Sequence, residues 1–462
     1  MAGGAGERSD DSASRRGPRW FWWALTTVGV AALGTRVGYV LISRANRTFG
    51  GDSYFYHAGA NLLASGHGFI EPFLYHNGQV AQAAEHPPLY LVYLSIPSAL
   101  GMTSTLTHLL WSCVLGTATV VVVGLIGREV LGPRVGIIAA AIAALYPNVW
   151  VADGSLQAET AAMFMTALTV LFAYRYLRRP SWPWLAAAGA AAGAASLARS
   201  ELILLVPFVV APLALLTRTR SFRQQLEWLA AAGLATLIVI GPWIGYNLNR
   251  FRHPVYLSVQ YPALLASANC DTTYYGQLLG YFSVACAAAD ATREHVAGDQ
   301  SQQAIGFQHA AVTYVRHHEG RLPVVVAARL GRIVEAFRPG QNIRLREFLD
   351  GIESPVANAA LVTYYALALL SVAGAVVLRR RRVTGYPLLA PIAVVLITVA
   401  LSYGNTRFRA PAEVMLAVLA AVAIDALVSR FASARAGGGA VPAEPEPVGA
   451  AAPVGAGGPR EP

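Results

Sequence analysis

The chain has 462 residues, 55% of them hydrophobic and 13% charged, with a mean hydropathy of +0.46; a soluble chain carries about twice that charged fraction. Repeated apolar runs of about 20 residues describe one polytopic helical membrane body and exclude a string of soluble domains. The net charge of +10 contains no lysine, and its arginines abut apolar runs instead of forming one patch, which speaks for membrane orientation and against nucleic acid.

Residues 1–19 are polar and rich in Gly, Ser and Arg, and are expected to be a disordered cytoplasmic N-terminus, with Arg15, Arg16 and Arg19 against the first apolar run. That run, Trp20–Ile42, is too long for a signal-peptide core and reads as an uncleaved helix. An outer loop, residues 43–104, follows. Its "GGDSYFYHAGANLLASGHGF" places Tyr54, Ala58, Leu62 and Leu63 at helical spacing and ends in "SGHG", predicting a short amphipathic helix along the membrane with Asp52 in an N-cap-like place. "HPPLYLVYLSIPSALG", His86–Gly101, is apolar but broken by proline and reads as a juxtamembrane or re-entrant segment.

Further spans are expected at Thr105–Ile126, Val135–Trp150, Leu156–Tyr176, Trp184–Leu197, Leu202–Leu216, Trp228–Tyr246, Val356–Leu378, Tyr386–Tyr403 and Val414–Val428, making about ten with the first. Arginine placement tests this count. Arg128 and Arg134, then Arg175, Arg178 and Arg179, then Arg218, Arg220 and Arg223, then Arg379 to Arg382 all fall on the same, cytoplasmic side. Polar residues gather on the outer side. There the segment 247–355 is too long for a plain connection and is expected to be a small extracytoplasmic domain. Within it, Arg321–Pro339 has the pattern of an amphipathic helix, either lying on the bilayer or packed within the domain. Cys270 and Cys286 lack a metal-site spacing and can pair as a disulfide or stay free thiols. The expected organisation is completed by a catalytic module at 20–246, C-terminal membrane helices at 356–430 and a disordered cytoplasmic tail at 431–462.

Asp52 has two readings. It can cap the loop helix, and an ionised carboxylate facing a cavity is also what a general base requires. The order of motifs bears on the choice: "DSYFYHAGANLLASGHGF", then "EHPPLYLVYLSIP", "SLQAETAAMFMTALTV", "RSELILLVPF", "GPWIGYNLNRF" and "RFRAPAEVMLAVLAA". This order, over about Trp20 to Val428, resembles bacterial polytopic glycosyltransferases of the protein O-mannosyltransferase and aminoarabinose transferase type.

The resemblance implies the GT-C fold, an all-α membrane bundle with an amphipathic first outer loop, and a sugar donor linked to polyprenyl phosphate. It implies that Asp52 is the base in an inverting transfer to an extracytoplasmic acceptor, which can be protein, lipid or glycan. Many relatives have Asp-Glu at this place, whereas Ser53 follows Asp52 here, so a second acid must come from elsewhere; Glu159 in "AET" matches the acid of the second loop, and Asp153 lies nearby. Glu159 also reads as an acid favoured by a helix N-terminus. Cationic groups for the leaving phosphate are sought among Arg199, Arg250, Arg252, Arg407 and Arg409, and Tyr54, Glu85 and His86 join them as substrate-binding candidates. No metal motif is present and no cofactor is required by these residues, a divalent cation being the alternative source of positive charge. The expected location is the cell membrane, with the active site on the extracytoplasmic face and both termini cytoplasmic. A transporter or flippase of lipid-linked sugars and a non-catalytic envelope-assembly protein are the competing readings.

Overall fold

In the computed structural model, residues 18–216, 220–293 and 297–437 are described; Arg15, Arg16 and Arg218, the expected disordered N-terminus up to residue 17 and the tail from residue 438 lie outside them. The chain is an all-helical membrane protein, and among the described residues the only β pairing is an isolated bridge between Ile70 and Gln82.

The helices are α1 (Arg19–Tyr39), α2 (Gly51–Ala64), α3 (Pro72–His76), α4 (Leu89–Ala99), α5 (Thr105–Leu131), α6 (Pro133–Leu145), α7 (Pro147–Trp150), α8 (Glu159–Arg178) and α9 (Trp182–Ser196). After a 3₁₀ segment, Ser200–Leu204, and a π segment, Val206–Val210, come α10 (Ala211–Leu215), α11 (Phe222–Leu248), α12 (Gln260–Ala268), α13 (Asp271–Tyr274), α14 (Val284–Arg293) and α15 (Gln300–His317). The last are α16 (Leu322–Ile333), α17 (Pro339–Asp350), α18 (Ser354–Arg380), α19 (Tyr386–Leu401) and α20 (Ala410–Gly437), with a 3₁₀ turn, Thr406–Arg409, before α20.

Every expected span coincides with helix. Six helices are long and apolar enough to cross a membrane, beginning at residues 19, 105, 159, 222, 354 and 406, and four apolar helical segments are shorter: Leu89–Ala99, Pro133–Leu145, Ser200–Leu215 and Tyr386–Leu401. Three of the shorter ones are interrupted by proline or by 3₁₀ and π turns, and the fourth, Pro133–Leu145, begins at a proline.

Small residues set the packing. In α9, Gly189 and Gly193 face α11 so closely that a Cβ on Gly189 would stand 2.4 Å from the Ala232 carbonyl oxygen and one on Gly193 3.1 Å from that of Thr236. Thr236 Oγ donates to the Gly189 carbonyl at 2.8 Å, so an interface with little side-chain volume is held by backbone proximity and one polar bond.

The first loop folds as α2 because Gly50 is extended and Gly51 takes a positive φ of 53° at its start. Tyr56, Gly59 and Ala60 then fall at helical spacing on one face and are buried against Tyr90, Leu91 and Leu94 of α4. Gly66 and Gly68, both at positive φ, end the helix. Asp52 lies within its first turn and does not cap it. The described residues up to Asp425 cluster into one compact unit, the long segment after α11 included. Cys270 and Cys286 are joined by a disulfide in this segment. Its helix α16 turns its arginine face into the protein and leaves Pro323, Val324 and Ala327 exposed: Arg329 and Arg332 are buried and spend their donors on Ala268 O, Asn269 Oδ1, Ala400 O, Leu279 O and the side chains of Gln341 and Asn342. Of Arg321–Pro339, the arginine side is packed within the protein and the opposite side is open.

Candidate active site

Four separate stretches of chain bring acids and arginines to one point. Ser53 is buried, and its hydroxyl donates to the Ser155 carbonyl at 2.6 Å, which pins the first turn of α2 to the loop leading into α8. The buried Arg44 fastens the same loop from behind, with Nε on Gly154 O at 2.7 Å and one Nη on Asp350 O at 3.1 Å. The residue that departs from the Asp-Glu pattern is therefore a structural tie, and the acid that shares an arginine with Asp52 is Glu159, at the start of α8.

Arg407, on the 3₁₀ turn before α20, joins the two acids. Its Nη2 donates to Asp52 Oδ2 at 2.8 Å and its Nε to Glu159 Oε1 at 3.0 Å. Arg199, between α9 and the following 3₁₀ segment, donates to Glu159 Oε1 and to Glu201 Oε1, each at 2.6 Å, and lies over the Phe408 ring. His86 Nε2 stands 3.6 Å from Asp52 Oδ1, with its ring wedged against Phe55 and Tyr56. The hydrogen bond from Leu89 N to Leu197 O (2.8 Å) ties the HPPLY stretch to the Arg199 loop.

These groups line a cavity of about 300 Å³. Asp52, His86, Glu159, Arg199, Glu201 and Arg407 form its polar part; Leu204, Leu264, Leu401 and Phe408 make an apolar part. Ser258, Gln260 and Tyr261 close it from the long connecting segment, which is laid on the first loop through Val259 N to Ala84 O at 3.0 Å. Glu159 is 2% exposed while the Asp52 side chain is 33% exposed, toward the cavity.

Burial would raise the Asp52 carboxyl, but Arg407 and then His86 outweigh it and hold it down at about 2. Burial lowers His86, against the pull of Asp52. Arg199 is raised: burial lowers it, and the fields of Glu201 and Glu159 more than offset this. Around the cavity, three carboxylates face two guanidiniums. Among the described residues no three His, Cys, Asp or Glu side chains are arranged to hold a metal ion; Asp52 and Glu159 already spend oxygens on arginine.

Of the residues singled out in sequence, Asp52, His86, Glu159, Arg199 and Arg407 converge here. The others stand elsewhere for visible reasons. Arg250 is consumed by Phe69 O, Gln82 Oε1, Ala83 O and Asn247 Oδ1, all within 2.9 Å, and fastens the first loop. Arg409 is buried on Glu413 and Ile333 O, stacked on Tyr364. Arg252 offers its backbone N–H to Asp299. Tyr54 packs on Phe73, Glu85 does not line the cavity, and Asp153 is sealed in a pair with Arg36 at 2.8 Å. Glu201, Ser258, Gln260 and Tyr261 were not singled out as cavity residues; only the pairing of Arg199 with its neighbour Glu201 had a local signal.

A family model described as dolichyl-phosphate-mannose-protein mannosyltransferase matches residues 85–246, the stretch holding His86, Glu159 and Arg199. The oligosaccharyltransferase AglB of Archaeoglobus fulgidus, solved with an inhibitory peptide and a dolichol-phosphate, superimposes with a TM-score of 0.54 at 18% identity, over 93% of this chain and 52% of that one. A second structure of the Archaeoglobus fulgidus oligosaccharyltransferase, with Zn and sulfate, gives 0.53 at 17%, over 88% and 49%. ArnT of Cupriavidus metallidurans bound to undecaprenyl phosphate gives 0.41 at 15%, over 89% and 79%. The chain thus spans about half the length of the oligosaccharyltransferases and shares the GT-C membrane fold with them. No curated protein matches it.

Proposed function

We propose that the protein is a membrane glycosyltransferase that moves a sugar from a polyprenyl-phosphate carrier to an acceptor hydroxyl, with inversion. The convergence of Asp52, His86, Glu159, Arg199 and Arg407 on a cavity with an apolar side carries this reading. The family match over residues 85–246 and the dolichol-phosphate held by an oligosaccharyltransferase of the same fold support it.

In this reading the apolar wall formed by Leu204, Leu264 and Leu401 takes the first isoprene units of the carrier. The donor phosphate meets Arg407, with Arg199 beside it. The acceptor oxygen forms a bond to the anomeric carbon while its proton passes to an Asp52 oxygen. The bond from that carbon to the phosphate oxygen breaks, its electron pair staying on the phosphate, whose new charge the guanidinium stabilises. Glu159 receives no proton; buried under both arginines, it holds them in place. The arginine bias of the loops puts the site on the extracytoplasmic face, where the acceptor is a protein, lipid or glycan hydroxyl.

Incubation of the purified protein with labelled polyprenyl-phosphate sugars and candidate acceptors tests the proposal. Asp52→Asn is expected to lower transfer by about 10²–10⁴-fold, the range of a lost general base, without changing the unfolding temperature downward. Normal turnover by the Asn variant would remove Asp52 from the chemistry. Movement of a lipid-linked sugar across vesicles without any transfer would favour a transporter.

A further inference from the structure

Behind Arg407, on the side away from the main cavity, lies a second chamber of about 30 Å³, room for about two water molecules. Gln157, Glu159, Arg346, Asp350, Arg407 and Glu413 line it. Asp350 ends α17 and belongs to no motif in the sequence. Its Oδ1 accepts from Gln157 Nε2 at 3.1 Å and stands 3.7 Å from Nη1 of Arg407. The guanidinium of Arg407 is thereby held between Asp52 in front, at 2.8 Å, and Asp350 behind.

We propose that Asp350 is a positioning residue: by holding Arg407 from behind it lets the donor phosphate replace Asp52 on this guanidinium, so that donor binding releases the base. This rests on the function proposed above. Without donor, Asp52 is masked twice, by Arg407 on one oxygen and by the approach of His86 on the other. Arg199 cannot relieve the mask, because Glu159 and Glu201 already occupy it at 2.6 Å each. The donor phosphate enters on the Asp52 side and competes with that carboxylate for Nη2. Asp350 supplies a counter-charge that the phosphate cannot reach, which keeps Arg407 from following Asp52 when the two exchange.

The fields agree with the geometry. Asp52 faces Arg407, His86 and Arg199, with Tyr56, Tyr403 and Glu85 also within its field. Asp350 is raised by burial, against the pull of Arg407, Arg346 and the Gln157 hydrogen bond, with Glu159 pushing it further up; Tyr281 and Arg44 also sense its charge. A masked Asp52 near 2 is a weak base, and losing Arg407 to phosphate moves it toward the ordinary carboxylate value of about 4.

The pH dependence of kcat, which reports the donor complex, tests this in the full-length protein. The wild type is expected to show its acidic limb at about pH 4 or above. Asp350→Asn leaves Arg407 with Asp52: the limb moves down by about half to one pH unit, kcat falls, and KM for the donor rises because the phosphate must displace the carboxylate from a guanidinium no longer held from behind. Arg346→Gln, on the same chamber, removes a positive charge and moves limb and KM the opposite way, so one variant suffices if the other fails to fold. Asp350→Glu keeps the charge and restores the wild-type limb. A KM that rises in Asp350→Asn with an unmoved limb shows a merely structural role and overturns the inference. Binding of sugar-free undecaprenyl phosphate is read in parallel: Asp350→Asn is expected to bind less tightly than wild type and Arg346→Gln more tightly, even where no acceptor is turned over. An unchanged order overturns the inference; absence of transfer with the order intact counts against the proposed function alone.

Discussion

Glu85 precedes His86 by one residue, yet the two carry different duties. His86 turns to the cavity, whereas burial, with Glu71 and Asp52 adding to it, pushes the Glu85 carboxyl up to about 8. In the unfolded chain this acid ionises near 4.5. Between these values the folded protein holds a proton that the unfolded chain has released, so stability falls as pH rises from about 4.5 to about 8 and is level above that. Glu85→Gln is expected to remove this decline and to raise the unfolding temperature at pH 7.5 above that of wild type. Thermal unfolding in detergent across this pH range measures it; parallel curves for the two proteins would mean that Glu85 is solvated or paired. The arginines teach the same lesson. Arg250 and Arg407 both sit beside span ends in the sequence, but four acceptors surround the first and three carboxylates the second. Residue type and local position name the candidates for phosphate binding; the neighbours across the fold select among them.

At the scale of elements, pattern and structure agree where a single face must be buried. The spacing of Tyr56, Gly59 and Ala60 follows from the helix period, and glycines end the helix as their φ angles require. The Ala/Gly run of α9 is a harder case, since its amphipathicity is low and its role lies in how closely it lets α11 approach. Gly189→Ala places a methyl group 2.4 Å from the Ala232 carbonyl oxygen, backbone that cannot swing away. The variant is expected to lose about 1–3 kcal/mol, read as a lower unfolding temperature with donor affinity per folded molecule unchanged. An unaltered melting curve would show that the two helices slide apart freely. Helix α16 marks the limit of pattern reading: the spacing of Arg329 and Arg332 among apolar residues suits a bilayer surface and a protein interior equally. The carbonyl acceptors of α12, α19 and the loop before α14 draw the two arginines into the interior and leave the opposite face of the helix open.

Across the whole molecule, acids and arginines from the first loop, the start of α8, the loop after α9 and the turn before α20 meet over sequence separations of up to 355 residues. The positive charge there is supplied by guanidiniums, and the carboxylates are paired with them. Transfer is therefore expected to survive EDTA with less than about a twofold change, the phosphate charge being met by arginine; loss of turnover restored by Mg²⁺ would mean that the acids re-pair around an ion. Sequence alone determined the membrane class and the helical character of each span, because hydropathy and helix period are local, and it singled out Asp52 as a candidate. Tertiary structure decided that Glu159 shares Arg407 with Asp52, that Arg199 pairs with the same Glu159, and that Glu201, Tyr261 and Asp350 stand around them. These choices depend on which carboxylate comes within hydrogen-bond reach of which guanidinium once the helices pack, a distance that no local pattern of residues encodes.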